Sequence, residues 1–123
     1  MLLLLLLPSL CFSQSTYKKR IIHAIIKQES NYCDTIQSRK ENAVGLLQIR
    51  PIMITEINRI TKKHYSLNDR FSRKKSIAIF IAYQDFYNPK WSYEVAARIW
   101  NGGASGMNKE STVKYWNKVK QLL

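Results

Sequence analysis

Glycine and proline are scarce and clustered in this chain. There are four glycines and three prolines in 123 residues, with Gly45 and Pro51 in one break and Gly102, Gly103 and Gly106 in another. A fold built on tight β-turns needs many more of both, whereas the long stretches between the breaks are rich in Ile, Ala, Lys, Arg and Gln, which suit helices. Disorder is excluded by a hydrophobic content of 46%. One all-α domain is expected, because this length supports a single hydrophobic core.

The first residues stand apart. Met1 is followed by six leucines, then Pro8, Ser9, Leu10, Cys11, Phe12, Ser13 and Gln14, after which the composition turns polar and basic. That is the outline of a signal peptide over residues 1–14, ending in the small-x-small triplet Cys11-Phe12-Ser13 and leaving residues 15–123 as the mature domain. A signal anchor or a lipid-modified Cys11 are the alternatives. The apolar run is about half the roughly 20 residues that span a bilayer, so no stable membrane insertion is expected after cleavage. Cleavage would leave Cys33 as the only cysteine, and the fold would then hold by packing without an internal disulfide. His23, His64 and Cys33 lack the paired spacings of zinc ligands, so no metal and no cofactor are expected.

Helical periods run through the remainder. From Tyr17 to Gln28, Ile22, Ile25, Ile26 and then Glu29 just beyond recur at helical spacing on one face, and residues 31–43 are polar and irregular. Pro51 opens a helix from Ile52 to Lys62. Ser72 is placed to cap a helix from Arg73 to Tyr87 that Asn88-Pro89 ends, and Ser92 to cap Tyr93 to Trp100. Asn101-Gly102-Gly103 supplies a stop that needs positive φ. Ser111 or Thr112 begins a last helix with Tyr115, Trp116 and Val119 turned inward.

Of eight acidic residues, Asp34, Glu41, Glu56, Asp69, Asp85, Glu94 and Glu110 fit solvated faces, caps or loops. Glu29 differs, because the isoleucine stripe carries it toward the core or a cleft, where partial desolvation raises a carboxyl pKa. A carboxyl held protonated near neutral pH can act as a general acid. An acid at a frayed helix end is the other reading of the same spacing.

Four segments together carry a resemblance. Ile25-Ile26-Lys27-Gln28-Glu29-Ser30 is similar to the glutamate-serine motif of lytic transglycosylases of the soluble lytic transglycosylase (SLT) family. Gly45-Leu46-Leu47-Gln48-Ile49 followed by Pro51 resembles that family's second motif, Gly-Leu-Met-Gln-Ile and Pro. Ala96-Ala97-Arg98-Ile99-Trp100-Asn101-Gly102-Gly103 resembles the third, usually Ala-Tyr-Asn-Ala-Gly, and Thr112 to Val119 with Tyr115 resembles the closing pattern. Leu47 replaces Met at conserved volume, and Trp100 replaces Tyr, giving up a hydroxyl for a larger ring.

The resemblance implies a lysozyme-like fold of about five to seven helices and cleavage of the β-1,4 bond between N-acetylmuramic acid and N-acetylglucosamine in peptidoglycan, leaving 1,6-anhydromuramic ends. Glu29 would act first as acid and then as base. Ser30, Leu47, Gln48, Trp100, Asn101 and Tyr115 would form the substrate-binding set, with Tyr115 facing Glu29. Asn101 is equally suited to capping a helix end and Gln48 to tying its own loop. Trp100 is the first choice for stacking on a sugar and is expected to line the cleft rather than the core; Trp91 and Trp116 are better read as core.

The formal charge of +12 is scattered along the chain, which describes a solvated surface better than a docking helix. A lysozyme-type hydrolase using Glu41 and a non-enzymatic basic binding module are the rival readings. Export argues against nucleic acid as a partner, whereas the carboxylates of peptidoglycan glycan strands would be drawn to a basic surface. A monomer in the periplasm or outside the cell is expected. The sequence leaves open whether it serves wall growth, a secretion or conjugation apparatus, or a phage.

Overall fold

A computed structural model describes residues 7–123, with side chains from residue 14 onward. The side chains of residues 1–13 of the expected signal segment, Cys11 among them, therefore lie outside the described ones. Within these limits the chain is an all-α, lysozyme-like domain with one minimal β-ribbon.

Helix α1 (Leu7–Ser30) extends beyond the predicted Tyr17–Gln28 at both ends. Its stripe holds as expected: Ile21, Ile22, Ala24, Ile25 and Ile26 are buried. Asn31 and Tyr32, at φ 49° and 66°, end it in the left-handed region. Near its start, Tyr17 stacks on Tyr93 with ring centroids 4.3 Å apart, and the Tyr93 hydroxyl donates to the Tyr17 carbonyl at 2.7 Å. The polar segment after α1 forms the two-residue strands β1 (Gln37–Ser38) and β2 (Ala43–Val44), antiparallel with Gln37 opposite Val44. Strands this short have no period to read in sequence.

Helix α2 (Pro51–Thr61) begins at Pro51 as expected and ends where Lys62 turns left-handed at φ 59°. The predicted connection after it contains a 3-10 turn (Leu67–Phe71) entered through a reciprocal Ser66–Asp69 capping box. Ser72 caps α3 (Arg73–Tyr87) by accepting from the Lys75 amide, and Ser92 caps α4 (Tyr93–Gly102) by accepting from the Val95 amide. Gly103, at φ 84°, stops α4. A second 3-10 turn (Gly106–Asn108) leads into α5 (Ser111–Lys120).

The core gathers on α3 and α4. Phe80, Tyr83, Ile79, Ala96, Ala97 and Ile99 meet Ile21 and Ile25 of α1, Leu46, Ile57 and Val119. Trp91 is buried among them, as read from sequence, with its indole N–H on Asp85 at 2.8 Å; Trp116 packs half-buried against the same core. Not every cation is solvated. Arg70 is buried and donates to the carbonyls of Leu67 (2.9 Å), Asn42 (2.9 Å) and Ile49 (3.1 Å), pinning the ribbon to the first 3-10 turn. Gly45 sits against that tie at φ 82°, where a Cβ would lie 2.1 Å from the Arg70 carbonyl oxygen.

The Cys33 thiol is free and exposed. Among the described residues no helix is long and apolar enough to cross a membrane, and no three His, Cys, Asp or Glu side chains gather as a metal site would need.

Candidate active site

Glu29 occupies the last turn of α1, one residue before its end, where the buried isoleucine stripe delivers it to the floor of a groove of about 440 Å³. Tyr115 of α5 reaches it and donates its hydroxyl to Oε1 at 2.8 Å. Burial pushes the Glu29 carboxyl up to about 7 from an ordinary 4.5. The Tyr115 hydrogen bond and the positive charge of Arg50 pull it back in part, while Glu41 pushes it further up. Near neutral pH the group is thus divided between acid and carboxylate, the condition a residue needs to give and recover a proton in one cycle. Tyr115, buried beside this charge, holds its own proton well above the usual phenol range.

Gln48, Arg50, Ile52 and Met53, from the loop before α2 and its first turn, line the groove with Glu41 from the ribbon turn. The end of α4 and the segment into α5 contribute Trp100, Asn101, Gly102, Gly103, Lys109 and Ser111. Asn101 makes no side-chain hydrogen bond among the described residues. Gln48, at φ 50°, follows its loop-tying reading: Nε2 donates to the carbonyls of Gly45 (2.9 Å) and Ile36 (3.2 Å).

Three of the expected substrate contacts are largely buried: Ser30, Leu47 and Trp100. Ser30 is buried, and its hydroxyl lies 2.7 Å from the Leu46 carbonyl oxygen and 3.2 Å from that of Ile26, so its proton is committed to the main chain rather than to a sugar. Leu47 is fully buried and cannot touch substrate with its side chain. Trp100 is only 9% exposed; its ring meets Phe80 at 4.8 Å and Tyr83 at 5.7 Å, both edge-on, and its indole N–H donates to the Leu47 carbonyl at 3.1 Å. It packs in the core cluster while also bordering the groove.

The rim residues Arg50, Ile52 and Lys109 carried no functional expectation from the sequence. Arg50 and Glu41 form an ion pair at 3.1 Å with both side chains about half exposed, and Glu41, expected in a solvated loop, nevertheless borders the groove. Lys109 donates to the Gly102 carbonyl at 2.6 Å, while Ile52 is 75% exposed at the groove's lip. The one signal for Arg50 was its place between Ile49 and Pro51, inside a motif segment.

Comparison with known proteins identifies the family of the chain. The model of the transglycosylase SLT domain family matches residues 12–122. No curated protein and no solved structure matches the chain. A match over nearly the whole sequence shows that the chain belongs to the transglycosylase SLT domain family, whose members cleave peptidoglycan in the manner of lytic transglycosylases.

Proposed function

We propose that this domain cuts the β-1,4 bond between N-acetylmuramic acid and N-acetylglucosamine with Glu29 as its one acid and base. The observation that carries the reading is the seat of Glu29: a carboxyl in a substrate-sized groove, desolvated to a pKa of about 7 and oriented by the Tyr115 hydroxyl. Because that hydroxyl occupies Oε1, the transferable proton is assigned to Oε2. It passes to the glycosidic oxygen as the bond to muramic C1 breaks. The resulting carboxylate then takes the proton of the muramic C6 hydroxyl, whose oxygen closes on C1 to form the 1,6-anhydro ring. Glu29 ends the cycle protonated, and no water is consumed. An intramolecular hydroxyl already lies near C1, so proximity replaces an activated water.

A lysozyme-type hydrolysis stays in view for one reason: Glu41 is a second carboxylate on the same groove. The product decides between them. Digestion of purified peptidoglycan is expected to release muropeptides ending in 1,6-anhydromuramic acid, lighter by one water than reducing ends and resistant to borohydride, and Glu41→Gln is expected to go on forming them. Reducible ends, with turnover lost in the Glu41 variant, would assign the hydrolase. No cleavage of purified wall would favour a basic binding module. We further propose that residues 1–14 direct export, that the domain works as a monomer in the periplasm or outside the cell, and that a secretion or conjugation apparatus is among the systems it serves.

A further inference from the structure

Two arginines of this fold contrast sharply. Arg70 spends its donors on three main-chain carbonyls. Arg50 makes one ion pair among the described residues, with the Glu41 carboxylate, and acts on Glu29 only through its charge, so most of its fork of N–H donors is unengaged. It stands on a rigid base, because its neighbour Ile49 is bridged to Val44 and held by Arg70, and its own carbonyl accepts from the Met53 amide at 3.0 Å. The other groove cation, Lys109, is already committed to the Gly102 carbonyl. An ion pair this exposed contributes little to stability, so exchanging Glu41 for another carboxylate costs little. Planar, bidentate recognition of a carboxylate is what a guanidinium does best.

We propose that Arg50 selects glycan strands whose stem peptides carry free carboxylates, taking a substrate carboxylate in place of Glu41 as the strand settles over Glu29. Glu41 is then an internal stand-in for substrate: it keeps the guanidinium aimed at the groove and competes with the incoming anion. This deepens the peptidoglycan reading and rests on it. It predicts opposite effects from removing the two partners of one ion pair, which a purely structural pair does not give.

The test measures binding by calorimetry in the Glu29→Gln background, which holds substrate without cutting it and removes the electrostatic influence of Arg50 on Glu29. The probes are tetrasaccharides bearing tripeptide stems, with carboxylates either free or amidated. Adding Arg50→Gln is expected to weaken binding of the free-acid probe about tenfold, the order of a lost charge-assisted hydrogen bond, and of the amidated probe less than about twofold. Arg50→Lys should recover part of the loss, and Glu41→Gln should tighten the free-acid probe by about threefold. Equal losses on both probes, no loss on either, weaker binding in Glu41→Gln, or no binding of either probe by the parent would each overturn the proposal. Product analysis of the wild-type protein is separate: reducing ends would defeat the transglycosylase chemistry while leaving these binding ratios standing.

Discussion

Two glutamates border one groove and live under opposite physics. Glu29 is set in the packed floor, where α1 meets α5, with a phenol as its near partner and a pKa of about 7. Glu41 stands on the rim in a ribbon turn, half exposed and paired with a guanidinium. Solvation accounts for the difference. Removing water favours the neutral acid of Glu29, whereas Glu41 keeps its contact with water and with the guanidinium of Arg50. A carboxyl side chain becomes a proton donor or a fixed charge according to what surrounds it, and here the two kinds of surrounding meet in one groove.

The strongest way to break this contrast is to neutralise each glutamate in turn. Glu29→Gln should lower turnover on peptidoglycan by about 10² to 10⁴, the range that general acid–base catalysis supplies, while Glu41→Gln should still produce anhydro ends. A folded Glu29→Gln variant clearing wall at the wild-type rate would end the distinction.

The floor itself can be loosened. Trp100→Ala should cost roughly 3–5 kcal/mol of stability in denaturant unfolding, as expected of a core tryptophan. A loss of oligosaccharide affinity with stability intact would instead place the ring at the substrate.

A third measurement reads the floor through pH. In the unfolded chain Glu29 ionises near 4.5, and in the native state near 7. The native form therefore holds the extra proton between those values, so its contribution to stability is complete below about pH 4.5 and lost progressively up to about pH 7. Glu29→Gln, which cannot ionise, should stabilise the fold at pH 8 by as much as about 3 kcal/mol and hardly at all at pH 4, measured by chemical denaturation. Equal effects at both pH values would mean that Glu29 is not desolvated.

The smallest effect sharpens the role of the phenol. Its hydrogen bond lowers the Glu29 pKa, so Tyr115→Phe should raise it and move the high-pH falling limb of activity upward, by roughly one unit or less. A shift to lower pH would contradict the assigned donor.

Much of this was legible because the signals are local. Pro51, Ser72, Ser92 and Gly103 each mark a helix end through their own backbone or side-chain chemistry, and the Ile22-Ile25-Ile26-Glu29 spacing placed the acid on a buried stripe. Motif resemblance placed Tyr115 opposite it. What resemblance could not give was direction: Ser30, Leu47 and Trp100 lie in the matched segments yet turn inward, because a motif records that a residue is needed and not whether sugar or main chain needs it. The Arg50–Glu41 pair joins residues from a ribbon turn and a helix start, and Lys109 enters from a distant loop. Periodicity holds no trace of such meetings. Buried Arg70 defeated the rule that cations are solvated, since three carbonyls replace its water.

The loop beneath the acid also decides which letters of its sequence are free to vary. Ser30 and Trp100 lie in different helices, yet they hold the successive carbonyls of Leu46 and Leu47. Residue 47 thus serves the groove through its main chain, which every amino acid possesses, and its side chain has only to fill a dry volume. Leucine and methionine are interchangeable there on volume alone, whereas each residue that grips a carbonyl must bring a hydrogen-bond donor of its own. Identity in this part of the chain resides in the hands that hold the loop, while the loop itself need only be held.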